Sequence, residues 1–503
     1  MLIIAVLSLV ATKTAENCSS SSGAPGKLLN GTLTFPAMPA PRLVPFPISL
    51  RARAAYLPLQ RIPIHVGSKD LISLGQLLAS EVLAATSGAV VLPVTAEPTA
   101  GAAASPAIVI SLTPSGNSNG NAEAYTLNIT ATSAALSAST YAGLVAGTAT
   151  LLQSVEFSGN VDAVPRTRNN CTTAPVWRLP ALVIADEPAL RYRGIMVDAA
   201  RAYLPLSALK GFVVLCRLYK LNYMHIHMTD DGAFTWPSTA YPELAAKSPW
   251  RYNLTELHEL NAFATLRGVA IIGEMDVPGH AASMVKSLPD VFGFPSKPTV
   301  GIINFVNASV VKAVQTIFDE IAAVFPSTPY VHMGGDEVNF GEINSLPEIA
   351  AALKRANVST VTDLYRLFIG EMDVYAKLKE KTLQVWEGFK SNSLNDEGGA
   401  GPPVPSSVTV STDIVVSPFD CNIYTPPDLA KDGYSIINSA WTPLYIAGHG
   451  RDGMHHPLPP ELVYRWNPLL FGSVIHALEW WQIPDEHADA VIGAQMCTYV
   501  FFV

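Results

Sequence analysis

Tyr330-Val331-His332-Met333-Gly334-Gly335-Asp336-Glu337 is the stretch on which the fold turns. A short β-rich run passes into two glycines and then two adjacent acids, the pattern of a strand that delivers a polar end to a loop. The pattern predicts a strand over 330–337, and seven other runs read the same way, at 194–198, 223–228, 269–276, 383–387, 408–416, 434–439 and 492–499. Helical periodicity fills the gaps between them, for example over 206–220 and 310–325. Strands alternating with helices imply parallel strands joined by crossover helices, and eight of them imply a closed (β/α)8 TIM barrel, an α/β fold occupying 190–503.

Acids recur at one position along these strands. Asp198, Asp230 with Asp231, Asp276, Asp336 with Glu337, and Glu387 all fall at or just past the C-terminal ends. In a barrel of this kind that end carries the active site, because the loops there converge on one mouth. Solvated loops would carry Lys and Arg as often as acids, so the acid bias points to chemistry. On an extended strand Asp336 and Glu337 would point to opposite faces. His225 and His227, two apart, would share one face, and such a pair at a barrel strand end also invites a metal-dependent hydrolase reading.

Ahead of the barrel, 48–175 reads as a small α/β accessory domain. It has strand-like runs at 107–112 and 124–130 and apolar-periodic stretches at 71–83 and 141–155, with no concentration of ionisable residues. Residues 17–47 are rich in Ser, Gly and Pro and read as a loose entry segment, and 398–405 reads as a surface loop. Residues 1–16 contain an apolar run of signal-peptide length. Sequons stand at Asn17, Asn30, Asn128, Asn170, Asn253, Asn307 and Asn357. Both features favour the secretory pathway, with an extracellular or lysosomal/vacuolar destination. No later segment is apolar for the roughly 20 residues a membrane span needs. A net charge of −9 without clustered Lys or Arg argues against nucleic acid. The five cysteines lack metal-ligand spacing, and Cys216 and Cys497, each within an apolar element, are expected to be buried free thiols.

From about residue 48 to 503 the chain resembles glycoside hydrolase family 20, the β-N-acetylhexosaminidases. Gly334-Gly335-Asp336-Glu337 matches the family's hallmark. Further matches come in the family's order: Tyr192-Arg193-Gly194 with Asp198 and Arg201, Lys220-Leu221-Asn222 leading to His225-Ile226-His227 and Asp230-Asp231, and Glu274-Met275-Asp276-Val277-Pro278-Gly279-His280. Val385-Trp386-Glu387 and Ser439-Ala440-Trp441 with Tyr445 follow. The resemblance implies removal of terminal β-linked N-acetylhexosamine without a cofactor or metal. Glu337 would be general acid and then base, and Asp336 would steer the substrate's acetamide onto the anomeric carbon. Ordinary retaining enzymes instead hold two carboxyls about 5 Å apart across the bond. Tyr445 would hydrogen-bond the acetamide oxygen, Trp386 and Trp441 would wall its pocket, and Arg193 and Glu387 would bind the sugar. Asp230, Asp276, His280 and His227 would form the network supporting Glu337, with His332 as a further satisfied histidine. Asp198 and Arg201 read equally well as a structural pair. The partner implied is a glycan, and a homodimer is compatible with the sequence.

The chain also departs from the family. Ala202 stands where the family usually has His, and Ala447 where an acid or amide often binds the sugar. At the last strand Tyr499 replaces a Trp, the following Glu is lacking, and the chain stops without an eighth helix. The expectation is a truncated barrel of reduced stability with weakened sugar binding. A catalytically impaired sugar-binding remnant of the fold is the alternative to an active hydrolase.

Overall fold

The structure is a computed structural model. It describes residues 43–60, 62–96, 106–113, 120–158, 176–390, 406, 408–447, 463, 466–473 and 480–499. The expected signal peptide, most of the entry segment, the loop at 398–405, the sequons at Asn17, Asn30 and Asn170, Cys18, Cys171, and Val500 to Val503 lie outside the described residues. The chain divides into two compact units, Met1–Ala189 with Arg217–Lys220, and Leu190–Cys216 with Leu221–Val503.

The first unit is built on a mixed sheet. In chain order its strands are β1 (Ser49–Pro58), β2 (Ile64–Val66), β3 (Val94–Ala96), β4 (Ala107–Leu112), β5 (Tyr125–Ile129), β6 (Ser133–Ala138), β7 (Glu156–Phe157) and β8 (Trp177–Asp186). They lie in the order β1-β8-β5-β6-β4-β2-β3, with β7 beside β8. Strict alternation of buried and exposed residues along β5 marks a sheet with one packed face. Helix Tyr141–Gln153 is entered through the Thr140 side chain, which accepts from the Gly143 N–H. This unit continues past residue 175, because β8 pairs with both β1 and β5. Pro180, which weakens a strand reading, sits opposite Tyr56 where the β1 register is already irregular and a missing N–H costs little.

The second unit is the expected barrel. Its strands are β9 (Tyr192–Asp198), β10 (Tyr223–His227), β11 (Ala270–Glu274), β12 (Tyr330–His332), β13 (Thr382–Trp386), β14 (Val415–Ser417), β15 (Ser435–Asn438), and, after three short strands, the last barrel strand. Those short strands are β16 (Tyr445–Ala447), β17 (Leu470–Gly472) and β18 (Trp480–Gln482), and the last is β19 (Val491–Tyr499). Each of β9 to β15 pairs in parallel with the next, β15 pairs with β19, and β19 with β9, which closes the ring of eight. β16 lies parallel to the end of β19, with Tyr445 opposite Cys497.

Two boundaries differ from the sequence reading. The strand expected over 330–337 ends at His332, because Gly334 and Gly335 adopt φ of +70° and +94°, outside the extended region. The run at 408–416 becomes a strand only from Val415. Helices Leu206–Leu218 and Ala308–Val324 lie close to their expected spans, and helix Leu254–Leu266 opens with a capping box in which the Asn253 side chain and the Glu256 carboxylate each accept from the other's backbone N–H. Among the described residues no helix is long and apolar enough to cross a membrane. Cys216, Cys421 and Cys497 are buried free thiols.

Candidate active site

The polar ends of the barrel strands meet at one imidazole. Beyond β11 the chain runs through Asp276 to His280, and His280 Nε2 lies 3.1 Å from Glu337 Oε2 and 3.7 Å from Asp336 Oδ2. The turn after β12 makes this possible. An extended strand would have sent the two acids to opposite faces, but with Gly334, Gly335 and Glu337 all at positive φ both carboxyls reach the same ring. The Asp336 side chain is 13% exposed and that of Glu337 45%, so one is enclosed while the other faces the mouth. Tyr365, from helix Val361–Leu378, donates to the Gly335 carbonyl and Asp276 Oδ1 accepts from the Gly335 N–H at 3.0 Å, which hold the turn in place.

Electrostatics in this group are collective. Burial alone would lower the His280 pKa, but contacts with Asp230 and Glu337 and the charges of Asp336 and Asp276 hold it well above the ordinary imidazole value. Burial, reinforced by the Asp336 charge, pushes the Asp276 carboxyl well above the carboxylate range. Burial likewise raises Asp336, against the pull of His280.

A second set of groups lies beside it. Arg201 bridges two acids, with Nη1 3.2 Å from Asp198 Oδ2 and Nη2 2.7 Å from Asp230 Oδ2. Asp230 also meets His227 Nε2 at 3.0 Å, and although burial opposes it, His227, His280 and Arg201 drive its carboxyl far below the ordinary range. His227 Nδ1 is 2.7 Å from Glu274 Oε2. Both ring nitrogens of His227 are thus engaged with carboxylates, while His225 Nε2 lies 3.0 Å from the same Glu274 Oε2, and His225, Glu274 and His332 stand close enough together to share a metal ion. His332 accepts the Gly334 N–H at Nδ1, 3.0 Å away, and burial takes its pKa down to about 4, a neutral ring consistent with that acceptor role.

Aromatic side chains stand next to these groups. Trp386 is buried with Met196, Phe419 and Cys497, Tyr445 packs against them, and Trp441 stacks on Tyr445 with ring centroids 4.4 Å apart. The three aromatics named from sequence are therefore neighbours. Glu387 is fully buried, accepts from the Cys421 backbone N–H at 2.6 Å, and is pushed well above the carboxylate range by burial and by Asp420.

Arg193 does not join them. It is the second residue of β9, at the N-terminal end of a strand whose C-terminal Asp198 marks the mouth, and its Nη1 donates to the Leu190 carbonyl at 2.8 Å. A guanidinium tied to backbone at that end of a barrel strand serves the barrel's own packing. The guanidinium at the mouth is that of Arg201, three residues past the strand. Sequence reasoning also passed over Glu274 and Tyr365. Glu274 stood in a quoted segment, two residues from Asp276 and therefore on the same strand face, which was the available signal.

The family models for glycosyl hydrolase family 20 match this chain twice, the catalytic domain over residues 190–500 and domain 2 over residues 40–187. The β-hexosaminidase subunit alpha of Rattus norvegicus is 31% identical over 221 residues, 42% of each chain. The β-hexosaminidase of Vibrio furnissii is 29% identical over 289 residues, 52% of this chain and 44% of that one. These matches span less than half the length of either relative. Among solved structures, the GH20 exo β-N-acetylglucosaminidase of Vibrio harveyi in complex with N-acetylglucosamine superposes with a TM-score of 0.70 at 21% identity, covering 96% of this chain and 72% of that one. The Streptomyces plicatus N-acetyl-β-hexosaminidase gives 0.67 at 21% identity, covering 92% and 85%. A barrel closed by eight parallel strands, carrying Asp336 and Glu337 on the turn after the fourth and matched by the catalytic-domain model along nearly all its length, makes this chain a member of glycosyl hydrolase family 20.

Proposed function

We propose that the protein removes terminal, non-reducing β-linked N-acetylhexosamine residues from glycans by a retaining, substrate-assisted reaction. The observation that carries this reading is the convergence of an enclosed Asp336 and a mouth-facing Glu337 on His280, beside the aromatic group of Trp386, Tyr445 and Trp441. In the first step the acetamide carbonyl oxygen attacks the anomeric carbon, the bond from that carbon to the leaving oxygen breaks, and Glu337 passes its proton to the departing oxygen. Asp336 accepts the acetamide N–H, which sharpens the nucleophilicity of the carbonyl, and the Tyr445 hydroxyl donates to that carbonyl oxygen. In the second step Glu337 takes a proton from water, which opens the oxazolinium ring and regenerates the β-configured sugar. Arg201, its fork committed to Asp198 and Asp230, holds the acid end of that network at the mouth. The family resemblance and the exposed sequon residues Asn253, Asn307 and Asn357 support a glycoprotein of the secretory pathway.

Hydrolysis of 4-nitrophenyl N-acetyl-β-glucosaminide, with anomer formation followed by NMR, tests the reading. Activity that vanishes in Glu337→Gln, falls steeply in Asp336→Asn and yields the β anomer first is the expected result. Equal cleavage of the plain β-glucoside would refute it, because the acetamide would then have no part. Binding of N-acetylglucosamine without turnover would identify a sugar-binding remnant instead.

A further inference from the structure

One buried carboxylate contacts Trp386 and three histidines bordering this site and has no role in the reaction just described. Glu274, the last residue of β11, is fully buried inside the barrel. Its Oε1 accepts from the Trp386 indole N–H at 2.7 Å and lies 3.3 Å from His332 Nδ1. Its Oε2 lies 2.7 Å from His227 Nδ1 and 3.0 Å from His225 Nε2. An isolated anion in such a place would be expelled or neutralised. Here burial does oppose the charge, but His227 above all holds the carboxyl well below its ordinary range.

The contacts lead outward in three directions. Through His227 the chain runs to Asp230, 3.0 Å from Nε2, then across an ion-pair separation of 3.7 Å to His280 Nδ1, and from His280 Nε2 over 3.1 Å to Glu337. His227 lies between two carboxylates, so a neutral ring would turn a lone pair toward one of them. Only the imidazolium satisfies both, and charge therefore alternates along Glu274, His227 and Asp230. Through the Trp386 N–H the same carboxylate fixes the indole that packs with Tyr445. Through His332 it borders the ring that accepts the Gly334 N–H, at the start of the turn carrying Asp336 and Glu337.

We infer that Glu274 is a positioning residue for the proposed reaction, a single buried anion that sets the general-acid chain and the aromatic wall of the acetamide pocket together. The inference rests on the proposed function. It makes Glu274 a coupling element between proton delivery and recognition of the 2-acetamido group, although it touches neither substrate nor reacting atoms.

Two readouts separate this role from a merely structural one. Loss transmitted through Glu337 grows as the leaving group becomes poorer, because a good leaving group needs little protonation. Loss transmitted through Trp386 weakens binding of N-acetylglucosamine whatever the leaving group. In Glu274→Gln, kcat/KM is expected to fall about 100-fold or more on an alkyl N-acetyl-β-glucosaminide and only about tenfold on the 2,4-dinitrophenyl one, with weaker N-acetylglucosamine binding besides. Should Glu274→Gln fail to fold, two single-arm variants replace it. Trp386→Phe keeps a ring but deletes the N–H and is expected to weaken sugar binding with no leaving-group dependence. His227→Asn is expected to show the leaving-group dependence alone. Equal loss on both substrates, or none, in a folded Glu274→Gln overturns the inference, as do single-arm variants that fail to divide the two effects. Glu337→Gln in the same series keeps the readings apart. Inactivity there beside a wild-type Glu274→Gln sinks only the inference, whereas an active Glu337→Gln sinks the proposed function.

Discussion

Substituting Gly334 by alanine puts the geometry of the turn after β12 to a direct test. A Cβ at this position would lie 1.8 Å from Asp276 Oδ1, 2.3 Å from its Cγ and 2.7 Å from its Cα. The nearest atom is about 1.5 Å inside van der Waals contact, and the Cα belongs to backbone that no rotamer change can move. The φ of +70° adds roughly 1–2 kcal/mol for any residue with a Cβ. Relief requires Asp276 or the Gly334-Gly335 turn to shift by about an ångström, and a displacement of that size near reacting groups typically costs about 100-fold in rate. Gly334→Ala is therefore expected to lower kcat/KM on 4-nitrophenyl N-acetyl-β-glucosaminide by about 100-fold or more, some 2.7 kcal/mol of barrier. Stability should fall by roughly 3 kcal/mol, followed by circular dichroism during thermal unfolding. The control is Gly211→Ala, inside helix Leu206–Leu218, where an added Cβ meets nothing within 4 Å. Replacing a mid-helix glycine there should stabilise by about 0.5–1 kcal/mol and leave the rate alone. A Gly334→Ala protein with wild-type rate and melting temperature would refute the packing described around Asp276.

Other outcomes follow from the charges and their placement. Arg201→Ala should reduce kcat/KM by at least about tenfold and Arg193→Ala should leave it within about twofold, since only the first guanidinium stands at the mouth; steady-state kinetics on the same glycoside decides, and the opposite ranking would restore Arg193 to the site. Asp230 has a folded pKa far below its unfolded value, so its stabilisation is present above about pH 4 and is lost as pH falls through the folded value. The melting temperatures of wild type and Asp230→Asn should differ at pH 7 and approach each other below pH 4, and a gap that persists in acid would contradict the assignment. Asp276 has the opposite sign. Its folded pKa is raised, so the favourable contribution is complete only below about pH 4 and disappears as pH rises through the folded value. Asp276→Asn should therefore gain melting temperature relative to wild type as pH is raised from 4 to 8, and an unchanged difference across that range would count against a raised Asp276 carboxyl.

The barrel was legible because β-rich runs recur at regular spacing, and the mouth because acids recur at their ends. Glycines were harder to read. Gly334 and Gly335 were recognised as turn formers, yet the strand was carried through them to Glu337, and strand parity then put the two acids on opposite faces. Positive φ at three of four consecutive residues removes that parity altogether. Arg193 was singled out on a matched tripeptide and lies at the N-terminal end of β9, while Arg201, beyond the strand, meets the positional criterion already applied to the acids. Glu274 stayed hidden for a different reason. A carboxylate inside a barrel is unfavourable until His225, His227, His332 and Trp386 arrive from β10, β12 and β13, and none of those partners is local in sequence. The accessory unit runs past 175 because β8 joins its sheet through β1 and β5, partners distant in sequence.

His280 stands between the two acids of one turn, and this ties them into one unit rather than two independent sites. Replacing Asp336 alters the field felt at Glu337 through the shared ring, and the reverse holds. Losses measured in Asp336→Asn and Glu337→Gln should therefore fall well short of multiplying in the double variant, the behaviour of components that work only as a set.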